Sequence, residues 1–232
     1  MKNKILINQY QGLGDILFCE PVARHYYNLG QQIIWPILDT YLWIKEYINY
    51  INFIPKSQFP FNYELAVYPS DEFDYLPLRF ANPLFRNIEL HDYSDQLHCM
   101  LDKYRFLNLS EELWRTLKWT RNLSKEQELY DLVIGDKQQY TLINNMWGNN
   151  YERVHIEETM DSVYTSIVPG FTMLDWSLIY EKANMIKTVS TSNLYMIEAL
   201  GIKCPVYIFP RRSCENLDGI REFVNKSYIL VE

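Results

Sequence analysis

The sequence predicts an α/β protein with parallel sheets, and two observations favour this class. The chain opens on a short apolar run, Ile5 to Ile7, which is followed by a glycine turn and by apolar residues at helical spacing. From residue 140 onward, short apolar strands alternate with helical segments, which is typical of a parallel sheet. With 232 residues, of which 48% are hydrophobic, the chain can bury one large core or two smaller ones.

The first predicted unit consists of a strand, a glycine turn and a helix. Gly12 and Gly14 end the apolar run, and Asp15 follows where a helix would start, because a carboxylate there meets orphan backbone N–H groups and the positive end of the helix dipole. The helix is predicted from Asp15 to about Asn28. In doubly wound folds such turns lie at the carboxyl ends of strands, where ligands bind. A tight turn and a helix cap without a ligand explain the same residues.

Further elements of the first half are predicted from apolar runs and the residues that break them. They are a strand over 32–38, an aromatic-rich helix over 41–50, a strand over 64–68, an irregular segment over 70–95 and a helix over 98–107. Pro36 places the end of the first of these strands near Trp35, since proline cannot donate to a sheet.

The domain junction is predicted in a helical stretch in the middle of the chain. Ser124 should cap a helix that Gly135 stops. We therefore expect a first domain over 1–122, a helical linker over 123–137 and a second domain over 138–232.

The second domain is predicted to alternate strands and helices. The strands are expected over 140–146, 163–168, 185–189 and 205–209, and the helices over 175–183, from the turn at 190–192 to Gly201, and over 217–225. Asp175 should be the N-cap of the first of these helices, because Leu174 and Ile179 flank it as a hydrophobic staple would.

Charge and composition argue against several function classes. The net charge of −7, from 22 basic and 29 acidic residues, disfavours a nucleic-acid partner. No stretch approaches the ~20 apolar residues of a membrane helix, so no integral membrane segment is expected. The four cysteines are scattered and the N-terminus does not read as a signal peptide, so we expect free thiols in the cytoplasm. They are Cys19, Cys99, Cys204 and Cys214.

The second half also carries a family resemblance. The stretch from Gly170 to Gly201 resembles the C-terminal domain of heptosyltransferase-like proteins, which belong to glycosyltransferase family nine. In that family an Asp-Ser-Gly-Pro-Met-His-type turn leads into a helix that ends Ala-Leu-Gly. Here the turn is Ser190-Thr191-Ser192-Asn193-Leu194-Tyr195, and the helix ends Ala199-Leu200-Gly201. The N-terminal Gly12-Leu13-Gly14-Asp15 resembles the family's opening Leu-Gly-Asp.

The resemblance implies a GT-B-like architecture, in which two Rossmann-like domains face each other across a cleft. An acceptor would lie on the first domain, beside the loop Gly12, Leu13 and Gly14, and a nucleotide-sugar donor on the second. Asp15 would act as general base on the acceptor hydroxyl, in an inverting glycosyl transfer. The glycines would let the acceptor approach the backbone.

The donor's diphosphate is expected at the turn from Ser190 to Asn193. Backbone N–H groups at a helix N-terminus attract phosphate, and the hydroxyls of Thr191 and Ser192 add donors. Ser192 as a plain helix cap is the alternative. Arg153 and Arg211 follow strands and could supply the cation that leaving-group charge requires. No Asp-x-Asp signature occurs, which argues against a metal-dependent glycosyltransferase. No resident cofactor is expected either, since the nucleotide sugar would be a substrate.

Two rival functions remain open. Ser190, Ser192 and Tyr195 stand where the family has an acid, a glycine and a histidine, which is compatible with a non-catalytic nucleotide- or glycan-binding homologue on the same scaffold. The glycine turn alone would also suit a nucleotide-dependent epimerase or oxidoreductase, although it falls short of a full G-x-G-x-x-G motif.

Overall fold

The chain forms two compact units, each with its own parallel sheet. The computed structural model describes residues 3–59, 70–80, 95–148, 152–211, 220–221 and 223–231. The described residues of Met1–His91 and His98–Thr120 make up the first unit, and those of Asp92–Leu97 and Arg121–Glu232 the second.

The first unit is built on a four-stranded sheet. Its strands are β1 (Lys4–Ile7), β2 (Gln32–Ile37), β3 (Asn52–Pro55) and β4 (Asp74–Leu76), in the order β3-β2-β1-β4 and all parallel. Helix α1 (Leu13–Asn28) connects the two central strands. Because β1 is central and its residues from Ile5 to Ile7 are buried, the turn that follows it lies at the middle of the carboxyl edge.

Helices and 3₁₀ segments cover this sheet. They are 3₁₀ helices at Asp39–Glu46, Lys56–Gln58, Leu78–Phe80 and Glu111–Thr116, and α2 (Asp95–Phe106). The ring of Phe18 on α1 stacks on Trp114 at 5.9 Å between centroids and meets Tyr104 of α2 edge-on at 5.2 Å. These three buried rings fix α1 and α2 against each other.

The second unit begins with α3 (Leu123–Val133) and contains a five-stranded parallel sheet. Its strands are β5 (Thr141–Asn144), a short antiparallel pair β6 (Met146–Trp147) and β7 (Glu152–Arg153) outside the sheet, then β8 (Ser162–Tyr164), β9 (Met185–Val189), β10 (Val206–Phe209) and β11 (Ile229–Leu230). The sheet order is β11-β10-β9-β5-β8. Strands β5 and β9 are central, and Ile143, Ile156 and Val189 form a core cluster.

The helices of the second unit are a 3₁₀ turn at Met173–Trp176, α4 (Ser177–Lys182) and α5 (Asn193–Leu200). Helix α5 follows β9 and ends at Gly201, whose φ of 59° is the left-handed conformation that glycine adopts without strain. Helix α3 lies in the segment expected as a linker and packs against α4.

The predicted α/β class with parallel sheets is confirmed in both units. Strand β9 has the predicted limits, Gly201 ends the following helix as predicted, and α2 covers most of the helix predicted over 98–107.

The predicted end of β2 at Trp35 is wrong, because the strand continues through Pro36 to Ile37. The register with β1 stops at Ile34, whereas pairing with β3 continues, Pro36 lying opposite Ile54. Pro36 therefore lies where the described strand is paired on one side only, which is the edge position that tolerates proline.

Two predicted helix caps are also wrong. Asn122, not Ser124, caps α3, and its side chain accepts a hydrogen bond of 3.1 Å from the backbone N–H of Lys125. The N-cap before α4 is Thr172, and Asp175 is the third residue of the 3₁₀ turn. Its carboxylate accepts from the Thr172 backbone N–H at 2.7 Å, which completes a capping box.

The first half departs from prediction in three further segments. The range 70–95, expected to be irregular, contains β4, and β3 was not predicted, since both strands are too short to show a pattern. The range 41–50 is a 3₁₀ helix in its first part instead of an α-helix. The strand predicted over 64–68 lies outside the described residues, as does much of the helix predicted over 217–225.

No helix in the described part of the chain is both long and apolar enough to cross a membrane.

Candidate functional site

The glycine turn after β1 holds the predicted base at the carboxyl edge of the first sheet. Gly12 has a φ of 75°, and a Cβ at this position would lie 2.6 Å from Oδ2 of Asp15. Only glycine therefore leaves room for the carboxylate where it stands. Asp15 lies in the first turn of α1 with Leu13 and Gly14 before it, and 37% of its side chain is exposed. The exposed fraction lets a substrate reach the carboxylate.

A lysine that the sequence analysis missed is paired with this carboxylate. Nζ of Lys103, on α2, lies 2.7 Å from Oδ1 of Asp15 and 3.1 Å from Oε1 of Gln9. The lysine side chain is only 9% exposed. Gln9 is itself held in place, because its side-chain NH₂ donates to the Gln11 backbone carbonyl at 3.0 Å and the backbone carbonyl of Gln9 accepts from the Trp35 indole at 2.8 Å. The ammonium is thus directed at one oxygen of Asp15.

The sequence does indicate that Lys103 lies on a buried helix face and needs a partner. It lies three residues after Met100, immediately before the buried Tyr104 and four residues before Leu107, which is the spacing of a buried helix face. A lysine on such a face is rarely buried unless it is paired.

The neighbouring Cys19 is a poor nucleophile, because burial raises the pKa of its thiol to about 12.

The second site is a cavity of about 260 Å³ at the carboxyl edge of the second sheet. It is bounded by the residues that follow β5, β8 and β9. Thr191, Ser192 and Asn193, three of the residues predicted to bind phosphate, line it at the N-terminus of α5. Ser190 is buried and does not line it. Aromatic side chains form much of the remaining wall: Trp147, Phe171, Trp176 and Tyr180.

A buried asparagine joins the strands that carry this cavity. The Asn144 side-chain amide donates to the hydroxyl oxygens of Thr188 at 3.2 Å and Thr191 at 3.1 Å, and its oxygen accepts from the Thr165 hydroxyl at 3.0 Å. Asn144 was predicted only as part of a strand. Its polarity at the end of an otherwise apolar run was the available signal.

The N-terminus of α5 is open towards a ligand. Ser192 occupies the N-cap position, but its side chain makes no capping hydrogen bond and its hydroxyl points to Sδ of Met173 at 3.5 Å. The backbone N–H groups of Leu194 and Tyr195 already donate to the Thr191 and Ser192 carbonyls at 3.0 and 3.2 Å. The N–H groups of Ser192 and Asn193 are therefore the first donors of this helix end that a ligand could use.

Tyr180 gives a second indication of a ligand. Its side chain is fully buried, it lines the cavity, and its hydroxyl has no hydrogen-bond partner among the described residues. Burial raises the pKa of this phenol, so the hydroxyl is a donor. Leaving a buried polar group unpaired costs about 1–3 kcal/mol, and a polar group of a ligand would remove that cost.

The two predicted arginines lie beside the cavity in different ways. The Arg211 guanidinium lies 5.8 Å from the centre of the Trp147 ring, which is part of the cavity wall. Arg153 lines an adjoining cavity of about 380 Å³, which shares Met146, Thr165, Ser166 and Ile167 with the first. Arg211 therefore lies against one wall of the first cavity, and Arg153 lines the cavity next to it.

Comparisons with known proteins identify the fold. No protein-family model and no curated protein matches the sequence. Among solved structures, the chain is similar over 90% of its length to the dodecameric iron-containing heptosyltransferase TibC in complex with ADP-D-β-D-heptose, with 12% identity and a TM-score of 0.55. TibC from enterotoxigenic E. coli H10407 also matches over 90%, with 10% identity and a TM-score of 0.51. The family 9 glycosyl transferase from Veillonella parvula DSM 2008 matches over 100% of the chain and 88% of its own length, with 12% identity and a TM-score of 0.50. The chain has the fold of glycosyltransferase family nine.

The chain spans 59% and 58% of the length of the two TibC structures. The described residues contain no group of three or more His, Cys, Asp or Glu side chains placed to hold a metal ion. Tyr195, which stands at the position of the family's histidine, packs against Phe223 at 6.2 Å between ring centroids.

Proposed function

We propose that this protein is a glycosyltransferase that moves a sugar from a nucleotide-diphosphate sugar to a hydroxyl acceptor, with inversion and without a metal. The observation that carries the proposal is the cavity at the N-terminus of α5, with its hydroxyl lining and the unpartnered Tyr180 hydroxyl. The family nine fold supports it, as does the ADP-D-β-D-heptose bound to TibC.

The donor would bind through its diphosphate. The backbone N–H groups of Ser192 and Asn193 and the Thr191 and Ser192 hydroxyls would donate to phosphate oxygens. The lining of the cavity carries no charged residue among those described, so the positive end of the helix dipole is not opposed. Arg211 would neutralise the charge that develops on the leaving nucleoside diphosphate. The aromatic wall, Trp147 included, would contact the less polar parts of the donor.

Asp15 would accept the proton of the acceptor hydroxyl. The acceptor oxygen would form a bond to the anomeric carbon while the bond from that carbon to the diphosphate oxygen breaks, and the electron pair would leave with the nucleoside diphosphate. Lys103 would act as a positioning residue, because it occupies Oδ1 and leaves Oδ2 for the acceptor. The reaction requires a conformation in which the acceptor bound at Asp15 meets the bound donor.

The site of action would be the cytoplasm. Cys19 and Cys204 are free thiols, which suits a reducing compartment, and an activated nucleotide sugar is the required substrate.

A charge at the N-cap of α5 tests the proposal. We expect Ser192→Glu to fold normally, since an acidic side chain suits a helix N-terminus, and to lose at least about tenfold in affinity for the donor through repulsion of the diphosphate. Ser192→Gln is the matched control, because it has nearly the same size and no charge. The wild-type protein is first screened by thermal shift against ADP, GDP, UDP and their sugar conjugates, ADP-D-β-D-heptose included, since a ligand of the folded state raises the melting temperature.

Isothermal titration then compares the two variants with the selected ligand. Equal affinities in Ser192→Glu and Ser192→Gln, or no stabilisation by any of these nucleotides, would contradict a diphosphate site at this turn.

A further inference from the structure

A second surface feature of the first unit lies at the opposite edge of its sheet. A groove of about 770 Å³ runs along the amino ends of β2 and β3, beside the end of α1. The turn that carries Asp15 follows the carboxyl end of β1, so the groove is separate from the candidate catalytic turn. Its volume is within the range of sites that hold small ligands.

The groove is lined mainly by carboxamide side chains. Six of its eleven lining residues are Asn or Gln, whereas these residues make up 27 of the 232 in the chain. They are Asn3, Asn28, Gln31, Gln32, Asn49 and Asn52. Each carboxamide offers two donors and an acceptor, and none of the described lining residues carries a charge. Such a surface provides nothing to hold a phosphate or a carboxylate ion, but it matches a ligand rich in hydroxyl groups.

Two tyrosines add an aromatic platform. Tyr27 and Tyr50 both line the groove, with ring centroids 5.2 Å apart and ring planes inclined by 41°. Tyr27 is 46% exposed, so one ring is available to a ligand. The Tyr50 ring is fixed in position, because its hydroxyl donates to the buried carboxylate of Glu20. A rigid ring beside hydrogen-bonding amides suits the C–H face and hydroxyl edge of a pyranose.

Gln31 is the second indication that the groove binds a ligand. Its Oε1 atom is buried and has no hydrogen-bond partner among the described residues. A buried acceptor without a donor is unfavourable, and a hydroxyl of a ligand would satisfy it after a small rotation of the side chain.

From these observations we propose that the groove binds a neutral oligosaccharide. It would hold part of a glycan at a distance from the reacting hydroxyl, or a glycan on which the protein docks. The proposal does not depend on the transferase activity, because the groove shares no residue with the Asp15 turn or with the α5 cavity.

The test is a titration of the full chain with maltotriose, cellotriose and galactotriose, followed by saturation-transfer difference NMR and calorimetry. We expect at least one trisaccharide to bind with a dissociation constant on the order of 1 mM, since the groove is open to competing water. Tyr27→Ala should weaken that binding at least fivefold, whereas Tyr27→Phe, which keeps the ring, should retain it. Tyr27 is exposed, so both variants should fold.

Three outcomes would overturn the proposal: no binding of any of the three sugars at 20 mM, binding that Tyr27→Ala leaves unchanged, or binding that Ser192→Glu abolishes. Unchanged nucleotide binding by Tyr27→Ala would show that the groove and the donor site are separate. The proposal of a glycan site in the groove and the proposal of a donor site at α5 can then be rejected independently.

Discussion

The two units place different chemistry at corresponding positions of their folds. In each, a turn follows a central parallel strand and leads into a helix, β1 into α1 and β9 into α5. The first turn carries a carboxylate paired with a buried ammonium, and the second carries hydroxyls, helix N–H groups and no charge among its described cavity residues. The first turn is therefore suited to accepting a proton and the second to binding an anion.

Replacing the carboxylate of the first turn should have the largest effect. Asp15→Asn keeps the shape of the side chain but cannot accept a proton, so turnover should fall about 10²–10⁴-fold. Affinity for the nucleotide sugar should remain within about twofold, because the donor site is at the other turn. The measurements are nucleoside diphosphate release with a hydroxyl acceptor present and calorimetry with the donor.

Lys103→Met is the companion variant for this prediction. It removes the ammonium and leaves the carboxylate, so its loss of turnover should be smaller than that of Asp15→Asn. Donor binding without turnover in the wild type would favour the non-catalytic homologue, and full turnover in Asp15→Asn would remove Asp15 as the base.

The two arginines beside the cavity should contribute unequally to donor binding. Arg211→Ala should weaken donor binding about tenfold, since Arg211 contacts the wall of the cavity, and Arg153→Ala should have a smaller effect from its neighbouring position. Titration of both variants with the same donor measures the ratio. A larger loss in Arg153→Ala would place the phosphates in the adjoining cavity.

Glycine substitutions separate backbone strain from displacement of the carboxylate. Gly12→Ala should cost about 1–3 kcal/mol of stability through its positive φ and should also push Asp15 aside. Gly30→Ala is the control, because its φ of 84° gives similar strain while nothing lies within 4 Å of the added Cβ. Urea unfolding should give comparable decreases in the free energy of unfolding for the two variants. Turnover per folded molecule should fall only in Gly12→Ala.

The helices behind the two turns also differ. Helix α1 buries Glu20, whose carboxylate pairs with Arg24 at 2.9 Å and accepts from the Lys118 backbone N–H at 3.0 Å, whereas the buried residues of α5 are uncharged. Burial outweighs these partners and raises the pKa of Glu20 to about 7.

Stability should therefore depend on pH through Glu20. The unfolded carboxyl ionises near pH 4.5 and the folded one near pH 7, so the folded state retains a proton that the unfolded state has lost. The contribution of Glu20 to stability thus falls as pH rises from about 4.5 to 7. The melting temperature of Glu20→Gln minus that of the wild type should increase by a few degrees from pH 5 to pH 8. A constant difference across that range would show that Glu20 has an ordinary pKa in the folded protein.

The sequence was informative where one local pattern decided the structure. The apolar run at β9 and the glycine at 201 were placed correctly, because strand length and a left-handed cap are local properties. Helix α1 was predicted to start at Asp15, but it begins at Leu13, with Gly12 in the N-cap position and Asp15 in the first turn. Asn122 and Thr172 were missed as caps, since several residues nearby can cap a helix and packing decides which one does.

Long-range pairing could not be deduced in the same way. The contact between Lys103 and Asp15 joins residues 88 positions apart, and nothing local specifies its partner. The cavity wall likewise combines residues from β5 to α5, so Asn144 and Tyr180 acquire their roles only when the sheet is assembled. The short strands β3 and β4 depend on their neighbours for their conformation.

The most direct test of the account is a crystal structure of the protein with the nucleotide sugar that stabilises it most. We expect diphosphate oxygens within hydrogen-bonding distance of the backbone N–H groups at 192–193, with the Tyr180 hydroxyl donating to the ligand. A nucleotide bound elsewhere, with the α5 N-terminus filled only by water, would contradict it.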